Sequence, residues 1–304
     1  MNHRRSFLQM TGVMLVVLLV GCTTPQPAPT STPIAAAPTF TPVPPTATPL
    51  PPTKTPTSVP PTLTLTPVPA TPTAAPTRVQ WTYAALGADD VSRRPGYPDF
   101  YTEHIEEDLG VEVKVSRLGE GNDPSSSILT RLQWREDPRG RSWPEVVSAA
   151  DVVTLRIGAN DVAWLLINKH GTGECGGEDD LDCVREAVET FKANYDAILT
   201  ELLELCKPGA IIRTMTLHYE SLAKWGFDGD VKPFLEPMND YIIQAAAEHN
   251  IPVALAHVAF HGPDGDQDPA AMGYVTADGK HLSELGATVV SDLLQELGYE
   301  STCP

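Results

Sequence analysis

Three short segments carry residue types that could do chemistry together. Asp278-Gly279-Lys280-His281 puts a carboxylate three residues before an imidazole. At the entry to a helix, that carboxylate can accept from one ring nitrogen and leave the other free as a base. Gly158-Ala159-Asn160-Asp161 follows an apolar run. An asparagine amide at a strand end can donate to a developing oxyanion. Gly87-Ala88-Asp89-Asp90 follows a second apolar run, "TYAAL". A turn of this kind often presents a nucleophile just after the glycine, and here that place holds an aspartate. A base, an oxyanion donor and a third group at the nucleophile's place would serve acyl transfer. Taken singly each signal is weak, since a lone Asp-x-x-His is more often a surface pair.

The segments need elements that bring them together. Apolar runs alternate with amphipathic stretches along the chain. "VQWTYAAL", "VEVKVSRL", "DVVTLRIG", "AIIRTMTL" and "IPVALAHV" read as strands. Helices are expected in "YPDFYTEHIEEDLG", from about Ser125 to Arg135, in "DCVREAVETFKANYDAILTELLELC", in "PFLEPMNDYIIQAAAEHN" and in "HLSELGATVVSDLLQELG". This alternation predicts right-handed crossovers and a parallel sheet covered on both faces. Ligands in such sheets sit at the carboxyl ends of the strands. Gly87, Gly158 and the loop before His281 should therefore gather at one edge.

In this order, and with these strands before them, the segments resemble the SGNH/GDSL hydrolase family over nearly all of residues 80–300. "LRIGANDV" is similar to that family's third block, which makes Asn160 an oxyanion donor. "TADGKHLSELGATVVSDLL" is similar to its fifth block, which makes Asp278 and His281 the acid and base of a triad. The resemblance implies an α/β fold, a three-layer α/β/α sandwich with a flavodoxin-like parallel sheet of about five strands. It implies hydrolysis of esters, often acyl or acetyl groups on lipids or carbohydrates, with no cofactor and no metal. The family's first block supplies a serine nucleophile, and Asp89 stands at the matching position. Its second block supplies a glycine N–H to the oxyanion; "RLGEGNDPSSSIL" offers Gly119, Gly121 or Asn122, and Gly121 is preferred.

Asp89 has several chemical options. Attack on an ester carbonyl would give a mixed anhydride, higher in energy than an acyl-serine. It could act as a base for water, or pair with His281 and hold it protonated. Ser92 is a displaced alternative, about a helical turn further on. Ser125 to Ser127 read as a helix N-cap cluster, and Asp161 as a holder of loop backbone. Asp264, Asp266 and Asp268 alternate like calcium ligands, but Pro269 and Val275 stand where the loop needs Gly and Glu, so an acidic turn is expected. His257 and His261 follow an expected strand, so a shared helix face is not expected of them, and they read as packing residues.

The ends and the composition place the domain. Arg4 and Arg5 precede the short apolar run "MTGVMLVVLLVG", an export-signal pattern. "RRSFLQ" is similar to a twin-arginine motif. The run ends in Leu19-Val20-Gly21-Cys22, which resembles a lipobox; residues 1–22 are read as a lipoprotein signal with Cys22 the lipidated residue, a plain secretory signal being the alternative. Residues 23–78 are read as a disordered linker, since 24–77 hold 18 of the 30 prolines and one charge, Lys54. It would serve as a spacer or a Thr-rich glycosylated stalk. Residues 79–304 remain for one domain.

The chain's net charge of −18 arises from acidic residues that all lie in that domain, and it argues against a nucleic-acid partner. The expected location is the extracytoplasmic face of the cell membrane, reached through a lipid anchor. The expected ligand is a small ester, glycan or acyl group. Cys175 and Cys183 flank an acidic loop and are expected to pair, leaving Cys206 and Cys303 as a second bridge. Metal binding is disfavoured because no Cys-x-x-Cys occurs. Two functions follow: a lipid-anchored hydrolase with impaired or altered chemistry, or a non-catalytic binder of a glycan or acyl ligand on a stalk.

Overall fold

The computed structural model describes residues 79–134 and 142–304. The expected signal segment, Cys22 and the linker lie outside the described residues. Along β1 (Gln80–Gly87) side chains alternate between two cores: Tyr83 and Ala85 enter one, Ala84 and Leu86 the other. This is the period of two that a strand covered on both faces requires. β2 (Glu112–Leu118), β3 (Val152–Arg156), β4 (Ile211–Met215) and β5 (Val253–Ala254) complete an all-parallel sheet in the order β2-β1-β3-β4-β5. That is the expected flavodoxin-like order.

Helices fill both layers. The described helices, in chain order, are α1 (Asp89–Ser92), α2 (Tyr97–Leu109), α3 (Ser125–Gln133), α4 (Trp143–Ala149), α5 (Ala159–Asn168), α6 (Asp182–Leu205), α7 (Lys232–Glu248), α8 (Ala256–His261) and α9 (Glu284–Glu296). α2, α8 and α9 pack on the Tyr83 face, through Tyr101, Phe260 and Val290. α3 to α7 pack on the Leu86 face. α6 shows why its sequence is helical: Val184, Val188, Phe191, Tyr195, Ile198 and Leu202 recur every three or four residues and are all buried.

The expected bridges are present, Cys175–Cys183 and Cys206–Cys303. The second ties the C-terminal tail to the end of α6. Buried Arg213 helps to hold that tail by donating to the carbonyls of Gly298, at 2.9 Å, and Glu300, at 3.0 Å.

One expected strand is shorter than its apolar run. "IPVALAHV" pairs with β4 only at Val253 and Ala254, because β4 itself ends at Met215. With no further backbone to pair, the chain turns into α8, where the His257 N–H donates to Thr216 Oγ1 at 3.1 Å. His257 and His261 therefore do share a short helix, contrary to the sequence reading. Their packing role stands: His261 Nε2 accepts from the Tyr219 N–H at 2.9 Å, and its ring stacks on Tyr219.

Candidate active site

β1 and β3 are neighbours, and the chain leaves them in opposite directions across the sheet, β1 toward β2 and β3 toward β4. A crevice opens at such a reversal, beyond the carboxyl ends of the strands. Asp89 is the first residue of α1, immediately past β1. Asn160 is the second residue of α5, past β3. Gly158 makes the second turn possible: its φ is +135°, and a Cβ there would lie 2.7 Å from the Phe191 ring. The loop entering α9 delivers His281 to the same place, so the gathering expected of the three segments is observed.

The Asp278 carboxylate organises that loop. Its Oδ2 lies 2.7 Å from His281 Nδ1. Its Oδ1 accepts from Thr276 Oγ1 at 2.7 Å, from the Lys280 N–H at 2.9 Å and from the His281 N–H at 3.1 Å. Gly279 closes the turn with a φ of +81°. Burial alone would raise the Asp278 pKa, but these donors outweigh it and hold the carboxyl well below the usual range. The other ring nitrogen, His281 Nε2, faces Asp89 Oδ1 at 3.7 Å, an ion-pair distance longer than a hydrogen bond.

Asp89 sits among donors. Its Oδ2 accepts from the Asn122 N–H at 3.1 Å and lies 4.0 Å from Lys280 Nζ. Burial acts to raise its pKa; His281, the Asn122 amide and Lys280 outweigh it, and the carboxyl stays ionised far below its ordinary value. The effect on His281 is reciprocal. Asp89 raises the imidazole pKa most, burial opposes, and Asp278 adds to the rise.

The second-block loop meets Asp89 through Asn122, whose φ is +63°. Gly121 lies beside the carboxylate, where a Cβ would come 2.8 Å from Asp89 Oδ1. The amide that reaches Asp89 is thus the one after the preferred glycine. Asn160 is fixed at both ends of its amide: Nδ2 donates to the Asp123 carbonyl at 3.3 Å and Oδ1 accepts from Lys280 Nζ at 2.8 Å. An amide nitrogen carries two hydrogens, so one remains for a ligand.

Lys280 is one residue that sequence reasoning missed. It is buried, with its ammonium bridging from Asn160 toward Asp89 and lying over the Trp225 ring at 5.8 Å. Asp90 was missed as well. It pairs with buried Arg156 and accepts from the Leu282 N–H at 3.2 Å, pinning the backbone next to His281. Arg156 continues to His218 Nδ1 at 2.9 Å, and His218 Nε2 contacts the Lys280 carbonyl at 3.0 Å. Buried Glu220 lines the same small space as Asp89 and His281, and burial pushes its pKa up to about 7. An arginine in an apolar strand is the one sequence signal for this network, because a buried cation calls for a partner.

The remaining expected residues lie apart from this centre or serve other ends. Ser92 is exposed, and its hydroxyl donates back to the Asp89 carbonyl at 2.9 Å. Ser125 begins α3 but makes no side-chain cap bond. It is fully buried and its hydroxyl and N–H both turn to Asp161, at 2.5 and 2.9 Å, because that acceptor fills the space above the helix end. Asp161 thus holds loop backbone as expected, and burial pushes its pKa up to about 6. Asp264, Asp266 and Asp268 are exposed. Among the described residues no cluster of three His, Cys, Asp or Glu side chains could hold a metal ion.

The sequence model of the GDSL-like Lipase/Acylhydrolase family matches residues 79–289. The chain belongs to that family. It is a family of ester hydrolases, and this chain shares its fold. Among solved structures, a lipase from goat rumen metagenome is similar at 23% identity, covering 73% of this chain and 99% of its own, with a TM-score of 0.57. An acetylxylan esterase from Geobacillus stearothermophilus is similar at 19% identity, covering 74% of this chain and 96% of its own, with a TM-score of 0.51. At these identities the likeness is one of fold. A search of curated proteins found no match. No helix among the described residues is long and apolar enough to cross a membrane.

Proposed function

We propose that this GDSL-family chain is a lipid-anchored, extracytoplasmic ester hydrolase whose ordinary serine-type turnover is impaired, because Asp89 stands at the nucleophile position. The observation that carries this reading is the pair of carboxylates on His281, Asp278 at Nδ1 and Asp89 facing Nε2. An imidazole between two carboxylates is held protonated, and a protonated imidazole cannot take a proton from a nucleophile near neutral pH. It can still donate one to a leaving alkoxide. Asp89, with its depressed pKa, is a weak base for water. Asn160 keeps an amide hydrogen for a developing oxyanion, while the Asn122 N–H is held by Asp89.

The same contact also favours a non-catalytic reading, in which the cleft keeps its ligand site and lacks turnover. Hydrolysis of short-chain nitrophenyl esters separates the two. The hydrolase reading expects slow but saturable turnover that depends on His281. It fails if the His281→Ala variant is as active as the wild type, or if neither has activity above buffer. The anchor rests on the Leu19–Cys22 pattern. It expects wild-type protein in the membrane fraction and Cys22→Ser protein released. A Cys22→Ser variant that stays membrane-bound would remove the anchor.

A further inference from the structure

A groove opens beside the cleft, with a volume of about 480 Å³. That is within the range of small-molecule sites, roughly 300–1,000 Å³. Asn160 lines both spaces, and Asn122, whose N–H binds Asp89, lines the groove as well. Its most unusual residue is Trp164, which is 55% exposed on α5. Trp164 follows Asn160 by four residues in the same helix, so the two side chains share a face about 6 Å apart along the axis. The indole N–H makes no hydrogen bond among the described residues. Glu186, Thr190 and Asn194 face the groove from α6.

The chemistry of this lining selects its ligand. Among the described residues no lysine, arginine or histidine lines the groove, and two carboxylates do, Asp161 and Glu186. The chain's net charge of −18 adds to the exclusion of anions. A fatty-acid carboxylate or an anionic polysaccharide is therefore disfavoured. An exposed indole face suits the C–H face of a sugar ring, while amide, hydroxyl and carboxylate groups suit its hydroxyls. A second exposed indole, Trp225, stands with its centroid 6.1 Å from that of His281.

We propose that the groove is a carbohydrate subsite: a neutral oligosaccharide binds there with one ring stacked on Trp164, placing an ester on its neighbouring unit at Asn160 and His281. This rests on the ester-hydrolase reading for its outcome, but the subsite binds whether or not turnover occurs.

The test is therefore a binding measurement on the purified full chain. Xylotetraose, chitotetraose, octanoate and polygalacturonate are titrated separately by calorimetry. Saturable binding of at least one of the two neutral oligosaccharides is expected at up to millimolar concentration, with no comparable binding of the two anions. Trp164→Ala should weaken it by roughly three- to tenfold, the scale of one good aromatic contact. Trp164→Phe should restore most of it, and Trp134→Ala, at an exposed tryptophan outside the groove lining, should leave it unchanged. Binding of neither neutral oligosaccharide, preference for octanoate or polygalacturonate, or full affinity in Trp164→Ala would overturn the proposal. Ester hydrolysis that persists without oligosaccharide binding would remove the subsite alone. Binding without any hydrolysis would remove the hydrolase reading alone.

Discussion

His281 Nε2 lies 3.7 Å from Asp89 Oδ1, where a base would need a proton-bearing nucleophile. A serine hydroxyl at position 89 could give a proton to that nitrogen. A carboxylate with a depressed pKa has none to give, and it makes the imidazole more basic.

The charge state of His281 follows from this contact. Its pKa should lie above the ordinary value of about 6.5. Asp89→Asn should move it down toward that value, since the largest raising contact is lost and burial and Asp278 remain. NMR titration of the imidazole in both proteins measures the difference. For a raised histidine the stabilising contribution is complete below the unfolded pKa and is lost as pH rises through the folded one. The Asp89→Asn protein should therefore lose less stability than the wild type as pH rises above about 6.5. An unchanged His281 titration would contradict the electrostatic account.

The Asp278 carboxylate both orients the ring and closes its loop. Adding Asp278→Asn to an Asp89→Ser protein should cost at least about a hundredfold in kcat on nitrophenyl acetate, since removing such an orienting acid typically costs more than that. KM should change much less. Equal activity with and without Asp278→Asn would show that the ring is oriented by something else.

Lys280 binds the Asn160 amide and balances Asp89. Lys280→Met removes a charge-assisted hydrogen bond and should lower stability by roughly 1–3 kcal/mol in urea denaturation. Lys280→Arg should lose part of this, because a planar fork does not replace a point ammonium in a closed space. A Lys280→Met protein as stable as the wild type would show that the lysine merely fills space.

Much of this arrangement was legible in the sequence. The triad-like loop could be read because Asp278 and His281 are three residues apart, and Gly87 and Gly158 mark where β1 and β3 end. The parallel sheet followed from the alternation of strands and helices, and its flavodoxin-like form from the family resemblance. Lys280 was not legible, because a lysine is by default a surface residue and the amide that buries it lies 120 residues away. Asp90 and Arg156, 66 residues apart, pair only once β1 and β3 stand side by side. The extent of β5 was hidden for the same reason: an apolar run shows what can be buried, while the length of β4 decides where pairing stops. Ser125 looked like a cap because local sequence does not show Asp161 arriving from another element.

The Cys206–Cys303 bridge closes a separation of 97 residues and anchors the tail beside Arg213. Replacing Cys303 by serine should destabilise the protein by about 2–5 kcal/mol, the usual cost of losing a native bridge. Urea denaturation of the oxidised variant and wild type measures it. The Cys175–Cys183 bridge spans a separation of only 8 residues, and its loss should cost less.

Covalent labelling with a serine-reactive fluorophosphonate, read by intact-protein and peptide mass spectrometry, tests the central claim most directly. The wild type should take up no label, because His281 activates no serine. The Asp89→Ser protein should take up one equivalent at position 89 and hydrolyse nitrophenyl acetate at least about tenfold faster than the wild type, a modest share of a full nucleophile contribution. Wild-type protein labelled on Ser92, with ester hydrolysis that disappears in Ser92→Ala, would contradict the account and move the nucleophile from position 89 to Ser92.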